Sequence, residues 1–202
     1  MLTEIIVVGA GGHTRSLLTL VDKSVYTLVG IYDDNFLGDE RIIDFPVLGK
    51  IKDMPEGIKI VLSIGDNNKR AEMYNNYRQR ILQSNLIHKS AILETHTSIG
   101  NSNQIFAKVV INAGVKIGQN NIINTGCILE HEVMTGSHNH ISVNSTICGR
   151  VKIGNNCFIG AGAVIIDKLT ICDNVIIGAN SVVINNISES GVYVGNPARR
   201  IR

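Results

Sequence analysis

Glu130, His131 and Glu132 are consecutive in the sequence, an imidazole between two carboxylates. Imidazole gains and loses a proton near neutral pH, and a neighbouring carboxylate raises its basicity and fixes its tautomer, so the trio suits general base chemistry. His140 follows nine residues later, with His138 between. Histidines this close also fit a zinc site. The acidic neighbours of His131 favour the acid/base role, and His131 and His140 are the two expected to face inward. The plainest alternative is an exposed corner histidine without chemistry.

A second group of candidates follows the apolar run Glu4 to Val8, where Gly9, Ala10, Gly11, Gly12 and His13 form a glycine-rich turn. Such a turn between a strand and a helix lets backbone N–H groups approach a phosphate. A dinucleotide fingerprint wants glycine at position 14, where this chain has Thr14, so the match is partial and a ligand-free tight turn is the alternative. Asp33 and Asp34 close a second expected strand over 28–32, where carboxylates can accept hydrogen bonds from a ribose hydroxyl or a base edge. A solvated loop is the alternative there. A third strand over 59–63 runs into Ile64, Gly65, Asp66 and Asn67, and the composition of 67–82 favours a helix with Met73, Tyr77 and Ile81 about four apart. Residues 1 to about 84 therefore read as a small βαβ domain whose loops lie at one side of a parallel sheet, where open α/β sheets bind ligands.

Beyond residue 84 the pattern changes. From Leu93 to Val183, every sixth residue is Leu, Ile or Val except Thr135. A period of six fits neither an amphipathic helix nor an alternating strand; it fits a parallel β-helix of hexapeptide repeats. Three hexads per coil place 18 residues between stacked positions, about five coils in all, and set Ala113 and Gly149 beside His131. Those small neighbours leave room for a substrate at the imidazole. The residue two before each aliphatic position is usually small or β-branched, as at Val109, Cys127, Val133, Cys157 and Ala163. Gly100, Gly118, Gly136, Gly154, Gly160 and Gly178 directly follow the column and are expected to mark bends with unusual dihedrals. Residues 191–200 leave the register and are expected to cap the open end, since an uncovered last coil exposes a strand edge.

Composition narrows the classes. With 19 basic and 17 acidic side chains, no charge excess points to nucleic acid or an anionic membrane. The local cluster Arg199, Arg200 and Arg202 reads as a solvated tail or a contact to a phosphate of coenzyme A. The N-terminus lacks the basic and apolar regions of a signal peptide, no apolar run approaches bilayer length, and a cytoplasmic protein is expected. The four cysteines show no CxxC pairing, which favours reduced thiols over disulfides or zinc.

These motifs together resemble the bacterial sugar acyltransferases that include the UDP-4-amino-sugar N-acetyltransferases of bacillosamine synthesis and the sialic acid O-acetyltransferases. The resemblance runs over Gly9 to His13, Ile64 to Asn67, Asn85 to Ser90, Asn124-Thr125, Glu130 to Glu132, His140 to Ser142 and Gly191 to Pro197. It implies a Rossmann-like domain over 1–84 that binds a nucleotide sugar, and a left-handed β-helix acyltransferase domain over 85–202. It also implies a homotrimer with active sites between subunits.

By the same resemblance His131 is the general base and Glu132 the acid that tunes it. His140 lies near acetyl-CoA, the amide of Gly149 near the thioester oxygen, and Ala161 and Ala179 along the pantetheine arm. Gly11, Gly12, His13, Asp33, Asp34, Ile64 and Gly65 match the nucleotide-sugar pocket, and Asn124 a polar residue by the acceptor. Thr135 and the polar run Ser137-His138-Asn139 depart from the family pattern and are expected to loosen the coil beside the site. The expected reaction is acetyl transfer from acetyl-CoA to the 4-amino group of a UDP-linked amino sugar, without a metal. The alternatives are O-acetylation of sialic acid, a non-catalytic scaffold, and a metal-dependent hydratase.

Overall fold

The computed structural model describes residues 2–202. The chain divides into two compact units, Met1–Ser84 and Asn85–Arg202.

In the first unit, apolar and β-branched runs form β1 (Thr3–Val8), β2 (Tyr26–Tyr32) and β5 (Lys59–Leu62), close to the expected strands. β1 lies between β2 and β5 with both pairings parallel. Ile5 to Val8, Ile31 and Ile60 are fully buried or nearly so, as strands covered on both faces require. A hairpin that the sequence reading omitted, β3 (Arg41–Ile42) and β4 (Phe45–Gly49), extends the sheet to the order β3-β4-β2-β1-β5; its own pairing is antiparallel, so the sheet is mixed. The short helix α1 (Gly12–Leu17) follows the glycine-rich turn.

Helix α2 spans Asn67–Asn76, shorter than the expected 67–82. Asp66 caps it by accepting the Lys69 N–H at 2.8 Å. Beyond Asn76 the chain turns back, and Arg80 to Leu82 hydrogen-bond with Ile60 on the edge of β5. Ile81 reaches the core from an extended segment, not from a helix.

The second unit is a three-faced coil. The first face stacks Ile92–Leu93, Val110–Ile111, Ile128–Leu129, Thr146–Ile147, Val164–Ile165 and Val182–Val183; every pairing is parallel and 18 residues apart. The second face carries Lys116–Ile117, Met134–Thr135 and Lys152–Ile153 among its strands, and the third Ile122–Ile123, His140–Ile141 and Phe158–Ile159. The aliphatic column is the core: from Ile105 to Val183 its members are at most 7% exposed. Each such side chain contributes roughly 1.5–3 kcal/mol of burial. Gly191–Val194 pairs in parallel with Val175–Ile177 and then antiparallel with Arg199–Arg200, so the tail adds strands to the third face.

Two expectations about this coil change. The glycines after the column do not adopt left-handed dihedrals; those belong to the residue three past the column, as at Lys108, Glu132, Asn144 and Lys168, with φ between 55° and 63°. The glycines answer a different constraint. A Cβ at Gly100 would lie 2.7 Å from the Gly118 carbonyl oxygen, and one at Gly118 would lie 2.5 Å from that of Gly136. Successive coils approach too closely there for a side chain. Nor does Thr135 loosen its coil: its strand keeps regular pairing with both neighbours. Its buried hydroxyl simply finds no hydrogen-bond partner among the described residues.

Candidate active site

The corner after the first face carries Glu130, His131 and Glu132. The Glu132 N–H donates to the Ala113 carbonyl at 3.0 Å and the Arg150 N–H to the His131 carbonyl at 2.9 Å, so the corner is pinned to the coils on both sides. The His131 side chain is 48% exposed. Its Nδ1 lies 3.3 Å from Glu132 Oε2. A carboxylate accepts hydrogen bonds, so this contact favours hydrogen on Nδ1 and a lone pair on Nε2. That nitrogen hangs over Gly149, where a Cβ would sit 2.6 Å away.

Glu130 turns aside, its Oε2 accepting from Asn112 Nδ2 at 3.0 Å. Burial, then the charges of Asp167 and Glu130, push the Cys148 thiol above its ordinary value. Carboxylates therefore crowd this corner.

His131 and His140 do not both face inward, as the register had suggested. His131 projects from its corner into solvent. His140 precedes the core residue Ile141 in its strand and so points to the outer side of the third face, although only 9% of it is exposed. Its ring packs edge-on against Phe158, centroids 5.1 Å apart. Asn124 Nδ2 lies 3.3 Å from His140 Nε2, while Asn124 Oδ1 accepts the Thr125 N–H at 2.8 Å. Asn124 and His140 are thus one pair, and His131 stands at a different corner.

The N–H groups of Gly149, Ala161 and Ala179 find no acceptor among the described residues. They are donors that a ligand can use. At the corner after the second face the equivalent groups are closed off. Ser137 Oγ accepts the Gln119 N–H, Asn155 Oδ1 that of Ser137, and Asp173 Oδ1 that of Asn155, at 2.7–3.1 Å. Inside the same corner an asparagine ladder runs from the half-buried Asn85 through the buried Asn103, Asn121 and Asn139. Each side-chain oxygen accepts the N–H of the residue one coil on, ending at Cys157. The sequence reading missed this ladder, although asparagine recurs at an 18-residue spacing.

In the first unit the three predicted turns are laced together. The Ala10 N–H donates to Asp33 Oδ2 at 2.7 Å, and the Asn35 N–H to Asp33 Oδ1 at 2.8 Å. Asp33 therefore braces the glycine-rich turn. Asp34 Oδ1 accepts from Ile51 N–H at 3.1 Å. Thr14, at the position where a dinucleotide fingerprint has glycine, donates its hydroxyl to the Gly9 carbonyl at 2.8 Å and accepts from Ser63 Oγ at 2.9 Å. Gly9 has φ +110°, and a Cβ there would lie 2.5 Å from the Ser63 carbonyl oxygen, so the turn after β1 needs glycine to pass β5. Gly11, Gly12 and Gly65 face open space.

Arg70 went unnoticed in the sequence. It is fully buried, its Nη1 donating to the carbonyls of Ile64 (3.1 Å) and Gly65 (3.3 Å) and its Nη2 to Asn67 Oδ1 (2.8 Å). At the C-terminus, Arg200 is occupied by Glu189 Oε2 at 2.9 Å and the Ser190 carbonyl, which weakens its candidacy as a phosphate contact.

Comparison with known proteins agrees with this architecture. Residues 4–77 match the PglD N-terminal domain, and residues 132–167 and 152–185 match the bacterial transferase hexapeptide (six repeats). PerB from Caulobacter crescentus, solved with CoA and GDP-perosamine, is 29% identical with a TM-score of 0.90 over 99% of this chain and 98% of its own. A variant of GDP-perosamine N-acetyl transferase from the same organism, one histidine replaced by alanine, gives 28% and 0.90 over 99% and 97%. The acetyltransferase domain of PglB from Neisseria gonorrhoeae, solved with acetyl coenzyme A, is 26% identical with a TM-score of 0.88 over the full length of both chains. No curated protein sequence matches.

A PglD-type domain followed by a left-handed hexapeptide β-helix defines a class of transferase. The chain carries both of these modules, as the sugar N-acetyltransferases it is similar to do, and it is an acyltransferase.

Proposed function

We propose that the protein transfers an acetyl group from acetyl-CoA to the 4-amino group of a UDP-linked amino-deoxy sugar. The observation that carries the reading is His131, with one ring nitrogen held by Glu132 and the other over the bare backbone of Gly149. The amine attacks the thioester carbonyl, and His131 Nε2 takes the proton that the nitrogen loses. The Gly149 N–H donates to the oxyanion, and the thiolate of CoA leaves. No covalent enzyme intermediate is required, because a neutral amine is itself nucleophilic. Ala161 and Ala179 supply donors along the pantetheine arm, and His140 with Asn124 lies near the acetyl group and the acceptor.

Gly11, Gly12, His13, Asp33, Asp34, Ile64 and Gly65 form the nucleotide-sugar pocket of the 1–84 domain. The protein works in the cytoplasm, where both substrates are made. A homotrimer is the working form, its active sites shared between neighbouring copies. Support for it is the outer side of the first face, where Ile92, Val110, Ile128, Val164 and Val182 make an apolar stripe broken only by Thr146, whereas the second face presents Lys116 and Lys152 on either side of Met134.

The Caulobacter enzyme was solved with a GDP-linked sugar, which makes the nucleotide the first point to test. Thiol release from acetyl-CoA should be measured against UDP- and GDP-linked amino sugars and sialic acid. Turnover with a UDP-linked 4-amino sugar is expected; turnover with sialic acid alone overturns the reading. His131→Ala should lower kcat by roughly 10²- to 10⁴-fold, and an unchanged rate would remove His131 as the base.

A further inference from the structure

We infer that Arg70 is a positioning residue for the nucleotide end of the substrate, holding the Ile64–Gly65 turn in its binding shape from beneath. The inference rests on the reading that this turn lines a nucleotide-sugar pocket.

The guanidinium is fully buried and divides its donors between two successive carbonyls and one side-chain amide, Ile64, Gly65 and Asn67. A trans peptide is planar, with its C=O and N–H pointing in opposite directions. Pulling the Ile64 carbonyl towards Arg70 therefore turns the Gly65 N–H away from it, and pulling the Gly65 carbonyl does the same to the Asp66 N–H. Both carbonyls are fixed by one rigid fork, so both amides are aimed together.

Gly65 carries no side chain, and a Cβ there would meet nothing within 4 Å, so the side of the turn away from Arg70 is open. Burial lowers the guanidinium to about 10, with Asp66 opposing, and it stays charged at neutral pH. A fixed cation beneath a turn that is open on its other side suits the anionic phosphates of a nucleotide. Lysine cannot reproduce the arrangement, because one ammonium cannot span three acceptors in a plane.

The test is calorimetric titration of the full-length protein with UDP, GDP and, separately, acetyl-CoA. Arg70→Met should weaken nucleotide binding at least tenfold and leave acetyl-CoA binding unchanged. Arg70→Lys should recover part of the loss. Asn67→Ala, which keeps the guanidinium but frees one arm of the fork, should weaken nucleotide binding about threefold, and it decides the matter if Arg70→Met does not fold. Unchanged nucleotide binding in a folded Arg70→Met or in Asn67→Ala overturns the inference while the pocket stands. A wild-type protein that binds neither UDP nor GDP overturns the pocket itself, and the inference with it.

Discussion

Two corners of the same coil are built on one hexad plan and differ in how their backbone is satisfied. After the second face, successive corner amides are capped by Ser137, Asn155 and Asp173, and an asparagine ladder fills the interior. After the first face, the amide of Gly149 meets no acceptor among the described residues, and the side chains are Glu130, His131 and Glu132. Corner donors that the chain itself satisfies hold coils together. Corner donors left unmatched must find water or a ligand. The contrast separates the corner that sustains the coil from the one that carries the candidate base His131.

Among changes to the backbone of the two corners, the largest expected effect comes from closing the open one. Gly149→Ala places a methyl group 2.5 Å from His131 Cε1, and the flexible half-exposed ring has to move. Steady-state kinetics should show kcat lower by on the order of 10²-fold, since misplacement of about 1 Å has that cost. The melting temperature should stay near that of the parent. The capped corner should behave in the opposite way. Asn121→Ala leaves the Asn139 N–H without its acceptor, and chemical denaturation should show a loss of about 1–3 kcal/mol with kcat nearly intact. Ser137→Ala removes the cap on Gln119 at a partly hydrated site and should cost roughly 0.5–1 kcal/mol.

The smallest effect is a rate of thiol labelling. Cys157, sealed in the capped corner, has its thiol pushed by burial up to about 11, and it should stay unmodified by iodoacetamide at neutral pH. Cys148, at the open corner and only half-buried, should label measurably faster, increasingly so as pH rises towards its elevated ionisation.

Much of this was legible in the sequence because the signals were periodic or local. The aliphatic column gave the coil and its 18-residue register, and the strand-then-glycine pattern gave the turns after β1 and β5. That Glu130, His131 and Glu132 share one corner was legible because they are adjacent in the sequence and follow a column position. What escaped depends on distance. The asparagine ladder is visible only when positions 18 apart are compared for polar residues as well as apolar ones. Arg70 resembles any helical arginine in the sequence, and only folding places it under two carbonyls. The end of α2 at Asn76 was misjudged because the later residues pair with β5, a tertiary interaction that overrides local propensity. The glycines of the coil were attributed to dihedral freedom, whereas the crowding that selects them lies between coils.

The fixed 18-residue step has a further consequence for how such chains can lengthen. An insertion of one whole circuit adds a storey and leaves every later side chain above its former azimuth. An insertion of a single hexad turns everything after it by one third of a revolution, carrying a downstream side chain such as the His131 imidazole to a different edge of the coil. Length variation among functioning descendants of this sequence should therefore come in whole storeys near the catalytic level and be free of that rule only at the ends of the stack.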